Sequence, residues 1–192
     1  MTVAMTHAYY SLLEHTLVLV LPATNFDPAV ESVTEFASKK LFKKYDRVFD
    51  IAVDPTAKKF RARLQDVIGK WRNLYAHGGF DKQYGIISFH VDGLGALPTL
   101  MSGVHAHPTF HLAPERESSF DQICALFDEL DAWLRAGPVK HGMQWAESGL
   151  DVPFNPEFLT EFRTSSGAGD EVFERFLRHM GYMADQAVNM DW

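Results

Sequence analysis

Three residue types that can act together on a phosphodiester stand close together in "WRNLYAHGGF", residues 71–80: Arg72, Asn73 and His77. RNA can be cut by attack of a 2′-hydroxyl on the adjacent phosphate. A histidine can move the proton in that step. A guanidinium can hold the developing phosphorane charge through paired contacts. No metal is needed. A histidine near a helix C-terminus favours its protonated form, which suits a general acid.

The spacing puts conditions on the geometry. At about 100° per residue, Asn73 and His77 share a helix face, so the amide can orient the imidazole. Arg72 lies roughly 140° from His77 around the same axis. Both reach one phosphate only where His77 bends away at the helix end. Gly69 and Ala76 lie between Arg72 and Asn73 on the wheel. Small residues there admit a close partner helix, which points to a second subunit.

The element that must carry these residues is "DPTAKKFRARLQDVIGKWRNLYAHGG", the clearest helical pattern in the chain. Asp54 suits the cap and Pro55 the first turn. Phe60, Leu64, Val67, Ile68, Trp71, Leu74 and Tyr75 form an apolar stripe. Gly78 and Gly79 end it.

Charge is unevenly placed. The 192 residues carry a net −7, which argues against a generic nucleic-acid binder. Yet residues 39–82 hold twelve of the eighteen Lys and Arg against five Asp and no Glu, about +7 locally. That asymmetry can focus a positive field on one face. Lys39, Lys40, Lys43, Lys44 and Lys70 are the candidate RNA contacts. The plainer account is a solvated helical face.

Elsewhere the pattern is mostly helical. Residues 4–21 read as a helix with Tyr10, Leu13, Leu17 and Leu21 inward and Pro22 closing it. Residues 25–49 read as a second helical region, capped by Asp27 and started by Pro28, with a break near 36–40. Residues 84–112 change to β-like composition, a small hairpin or loop excursion. "SSFDQICALFDELDAWLRAG" is again a capped helix, with Phe120, Ile123, Cys124, Phe127 and Leu134 inward. Residues 137–154 look irregular. "NPEFLTEFRTSS" is a short helix, "SSGAG" a linker, and 169–189 a last amphipathic helix. The fold class is mainly α, in a single domain over 1–192: a bundle core at about 4–136 and extra C-terminal helices at about 137–192.

The apolar run "LVLVLPA" (17–23) is too short to span a bilayer, and the first basic residue is Lys39, so neither a membrane span nor a secretory leader is expected. Cys124 is the only cysteine. Cytoplasmic localisation is the expectation.

"RNLYAH" resembles the Arg-Asn-x3-His form of the Arg-x4-6-His motif of HEPN domains. Those are antiparallel helical bundles that typically dimerise, and many are metal-independent endoribonucleases of toxin–antitoxin, phage-defence and RNA-processing systems. The resemblance covers the helices from about 4 to 136. It implies that Arg72 contacts the scissile phosphate, His77 does acid/base work and Asn73 orients it. It implies no metal or other cofactor, RNA as substrate, a homodimer, and an antitoxin or regulatory protein as a further partner. "EFASKK" echoes a Glu-x3-Lys element of some members, through Glu35 and Lys39 with Lys40 following; Glu14, in the first helix, is a second supporting carboxylate. One departure matters. Some members are silenced by modification of a tyrosine two residues after the histidine, and here that position is Gly79.

Two other readings stay open. One is a non-catalytic, HEPN-like dimeric binding module. The other is a metallohydrolase using His105, His107 and His111 of "HAHPTFH", which would share one face of a strand. Pro108 disrupts a regular strand there. Arg135 and His141 match the Arg–His spacing loosely, but Gly137 and Pro138 interrupt them. Glu14 and His15 are expected to satisfy each other as a buried pair. Cys124 falls on an apolar stripe, and so do Phe173, Phe176, Leu177 and Met180; core positions are expected for the first, core or dimer surface for the others.

Overall fold

The computed structural model describes residues 2–69, 86–93, 95–102, 109–112 and 117–190. The protein is mainly helical. Helix α1 spans Thr2–Leu19 and is followed by a single 3-10 turn at Leu21–Ala23, where Pro22 prevents continuation. Helix α2 spans Val33–Ser38, α3 Leu41–Val48 and α4 Pro55–Val67. Strands β1 (Ile86–Val91), β2 (Gly95–Ser102) and β3 (Thr109–Leu112) follow. Helices α5 (Glu117–Ala136), α6 (Lys140–Ser148), α7 (Pro156–Gly167) and α8 (Asp170–Met190) complete the described chain.

The chain divides into two compact units. One comprises Met1–Tyr10 and Pro55–Asp128, the other Ser11–Asp54 and Glu129–Trp192.

In the first unit, the start of α1 is joined to α4 and α5. The Tyr10 hydroxyl donates to the Leu64 carbonyl oxygen of α4 at 2.7 Å. The Tyr9 ring stacks on Phe127 of α5, with centroids 3.7 Å apart. Pro55 occupies the first position of α4, where its missing N–H costs nothing. Ala57, Phe60, Leu64 and Val67 form the helix's buried stripe. At Ile68–Gly69 the helix widens into a π turn. The three strands form an antiparallel sheet in the order β1-β2-β3. Gly93, with φ +79°, turns β1 into β2. Pro98 pairs with Ser88 in the part of β2 that β3 does not reach.

The second unit is built on aromatic rings. Leu21, Phe26, Phe36, Trp145, Phe158, Leu159, Phe162, Phe173 and Phe176 share one buried cluster. Trp145 packs on Phe158 at 4.8 Å and Phe162 meets Phe173 edge-on at 5.0 Å. Each fully buried ring contributes about 1.5–3 kcal/mol of transfer free energy. The C-terminal helices thus share a core with the segment after α1.

Several boundaries differ from the sequence expectations. Residues 140–148, read as irregular, form α6. The misleading residue is Gly142, which lowers helix propensity. A Cβ there would lie 2.9 Å from the Val20 Cβ, so the glycine admits close approach of the chain after α1. Asp27 and Pro28 do not start a helix. The Asp27 carboxylate accepts from Ala29 N at 2.9 Å, closing a turn instead. The helix begins one step later, where Ser32 caps α2 by accepting from Glu35 N. The expected break near 36–40 falls at Lys39 and Lys40, both extended. "SSGAG" is only partly a connector, because α7 continues through Ser166 to Gly167.

Candidate functional site

Arg72, Asn73, His77 and Lys70 lie outside the described residues, as do His105 and His107. The structure describes the helix leading to the first group. Its inner stripe is buried, and the Tyr10 bond fixes the Leu64 carbonyl only a few residues upstream. His111 is in β3, opposite Leu100. Among the described residues, no three His, Cys, Asp or Glu side chains converge to hold a metal ion. Nor is any described helix long and apolar enough to cross a membrane.

The two supporting carboxylates have different settings. Glu14 Oε1 accepts from Leu41 N at 3.1 Å, at the start of α3, and Oε2 lies 3.9 Å from Lys44 Nζ. The carboxylate meets amide and ammonium together, as a helix N-terminus favours. His15 is exposed, so the expected buried Glu14–His15 pair does not form. Glu35 Oε1 lies 3.5 Å from Lys39 Nζ, one turn along an exposed face. Such pairs contribute roughly 0–1 kcal/mol.

The candidate RNA-contacting lysines separate by helical phase. Lys39, Lys40 and Lys43 are exposed. Lys44 is only 5% exposed and lies on the inner face of α3 with Leu41 and Tyr45. Expected as an RNA contact, it instead faces Glu14 inside the fold. The run "KKLFKK" hides this difference; the three-residue step from Leu41 to Lys44 reveals it. Arg47 is also committed. Its Nε donates to Glu31 Oε2 at 2.7 Å and its Nη1 to Asn25 Oδ1 at 3.0 Å. The resulting charge-assisted fork lowers the Glu31 carboxyl below its ordinary range, chiefly through the Arg47 hydrogen bond.

A polar cluster that sequence reasoning missed sits in the second unit. His141, in the first turn of α6, is 6% exposed, and its ring stacks on Phe173 at 4.4 Å. Its Nδ1 lies 2.6 Å from Ser166 Oγ of α7, and its Nε2 lies 3.0 Å from Asp170 Oδ1, at the first residue of α8. Lys140 Nζ donates to the same Asp170 oxygen at 2.5 Å. The Asp170 carboxyl is held below its ordinary range, first by the Lys140 hydrogen bond and then by that from His141. An ionised carboxylate can only accept. In neutral His141, Nε2 therefore carries the proton, Nδ1 accepts, and the Ser166 hydroxyl donates to it.

The loose Arg135–His141 match makes no common site. Arg135 Nε donates to Glu147 Oε1 at 2.6 Å, while His141 turns to Ser166 and Asp170. Cys124 is half-buried on α5, its sulfur 3.7 Å from that of Met5. Comparisons with protein families, curated proteins and solved structures find no match to this chain.

Proposed function

We propose that this protein is a metal-independent endoribonuclease whose active centre is Arg72, Asn73 and His77, in a HEPN-like helical domain. The observation that carries the reading is the Arg-Asn-x3-His spacing that follows α4, a helix anchored by its buried stripe and the Tyr10–Leu64 bond. Anchoring upstream of a polar triplet is what a site needs, because productive geometry must be held before substrate arrives.

In this mechanism the RNA 2′-hydroxyl attacks the adjacent phosphorus and gives up its proton to solvent water. Arg72 spreads the charge of the phosphorane, and His77 gives its proton to the departing 5′-oxygen. Asn73 orients the imidazole. The products are a 2′,3′-cyclic phosphate and a 5′-hydroxyl. The exposed Lys39, Lys40 and Lys43 supply phosphate contacts away from the reacting atoms. A homodimer formed across the Gly69–Ala76 window brings two such centres together. An antitoxin or regulatory protein that covers the site is the corresponding partner, in a defence or toxin role.

Cleavage of end-labelled RNA in excess EDTA tests the chemistry. Fragments ending in a cyclic phosphate are expected, and a single 2′-deoxy substitution at the cut site should abolish that cut. Cleavage that needs added metal, or that survives the deoxy substitution, would instead favour a metallohydrolase. No cleavage of any RNA would favour a non-catalytic dimeric binding module.

A further inference from the structure

We propose that Ser166 is a nucleophilic hydroxyl, activated by His141 and oriented through Asp170, that accepts the acyl group of a small neutral carboxylic ester. The inference does not depend on the ribonuclease reading.

Three elements meet to make the relay: the first turn of α6, the last turn of α7 and the first residue of α8. Ser166 Oγ, the imidazole and the Asp170 carboxylate form one continuous hydrogen-bonded line, at 2.6 and 3.0 Å. With Asp170 accepting from Nε2, the basic ring nitrogen points at the serine. That is the arrangement by which an imidazole takes the proton of an attacking hydroxyl. The ring is fixed as well as bonded, since it stacks on the fully buried Phe173. The serine is half-buried, and the Asp170 side chain is 62% exposed.

The reaction balances without any cofactor. Ser166 Oγ attacks the ester carbonyl carbon while its proton passes to His141 Nδ1. The bond to the alcohol oxygen then breaks, and the departing alcohol takes that proton. A water molecule deprotonated by the same nitrogen cleaves the acyl-serine, releasing the acid and restoring the hydroxyl. The start of α8, whose first residue is Asp170, holds amides that the helix itself does not use. The first amide there with a helical acceptor is that of Phe173, which donates to Gly169 O at 3.0 Å. The amides of Asp170, Glu171 and Val172 precede it, and the helix offers them no carbonyl. Asp170, Glu171 and Glu174 make this end of α8 acidic, with Lys140 as the opposing cation. A neutral ester suits that balance better than an anionic one.

Asp170 acts through His141, so it is a positioning residue. The test is labelling of the full chain with a fluorophosphonate probe, read by intact mass and peptide mapping, beside the acetyl burst with p-nitrophenyl acetate. One adduct per chain on Ser166 is expected, absent in Ser166→Ala. His141→Gln should slow labelling at least tenfold. Where His141→Gln does not fold, the exposed Asp170 gives the second arm: Asp170→Asn slows labelling of the folded chain and Asp170→Glu restores it. No adduct on Ser166, or equal labelling rates in the folded wild type and either His141→Gln or Asp170→Asn, would overturn the proposal and leave the cluster as a tie between three helices.

Discussion

The triplet Arg72, Asn73 and His77 and the cluster His141, Ser166 and Asp170 differ in how a chain can bring polar groups together. The first is local. Its members lie within six residues, and one helical segment suffices to relate them. The second is assembled. Ser166 and Asp170 are 25 and 29 residues from His141, and three separate helices must pack before the hydrogen bonds exist. A local grouping can be read from spacing alone. An assembled site leaves no spacing to read, and depends on the core beneath it.

The largest expected effect follows from that dependence. Phe173 is fully buried, belongs to the aromatic cluster and stacks on His141. Phe173→Ala should cost about 3–5 kcal/mol, the usual range for losing a buried aromatic ring. Chemical denaturation measures it. A loss under about 1 kcal/mol would mean that the assembled cluster stands without its core, and the contrast would fail.

Next comes a pair of neighbours on α3. Lys44→Glu places a buried carboxylate against Glu14 and should destabilise by about 2 kcal/mol or more. Lys43→Glu changes an exposed position and should stay within about 0.5 kcal/mol. The same Lys43 change should weaken RNA binding and reduce its salt dependence. Equal melting temperatures for the two variants would contradict the inner placement of Lys44.

The smallest effect is in acid. The folded Glu31 and Asp170 carboxyls are both lowered, by Arg47 and by Lys140 with His141. For a lowered carboxyl the unfolded chain binds protons more readily. Its contribution is therefore fully present above the ordinary carboxylate range and is lost as pH falls through the folded value. Glu31→Gln should flatten the acid limb of a stability–pH curve while leaving its shape near neutrality unchanged. An unaltered acid limb would show that the Arg47 fork adds nothing.

Much of the helical organisation was legible because burial imposes a period. Tyr10, Leu13, Leu17 and Leu21 are all buried as spaced, and so are Phe60, Leu64 and Val67. The Phe173 and Phe176 stripe was legible as apolar, and its place proved to be the core. Helix α6 was not legible, because Gly142 is there for Val20, a partner 122 positions away that no local pattern contains. Asp27-Pro28 was ambiguous for a different reason. The same two residues suit a helix start and a turn, and the choice fell to the Ser32–Glu35 cap. Of the site residues, the lysines needed only phase to be separated, whereas the Ser166–His141 contact needed tertiary structure.

The most direct measurement is RNA cleavage in excess EDTA by wild type, Arg72→Ala and His77→Ala, with melting temperatures taken on the same preparations. Each substitution should cut the rate on the order of 10²- to 10⁴-fold while the melting temperature holds, since a proton-transfer group or a phosphate contact is lost and the buried stripe of α4 is not. Full activity in His77→Ala at unchanged melting temperature would contradict the account and leave "RNLYAH" without a part in the chemistry.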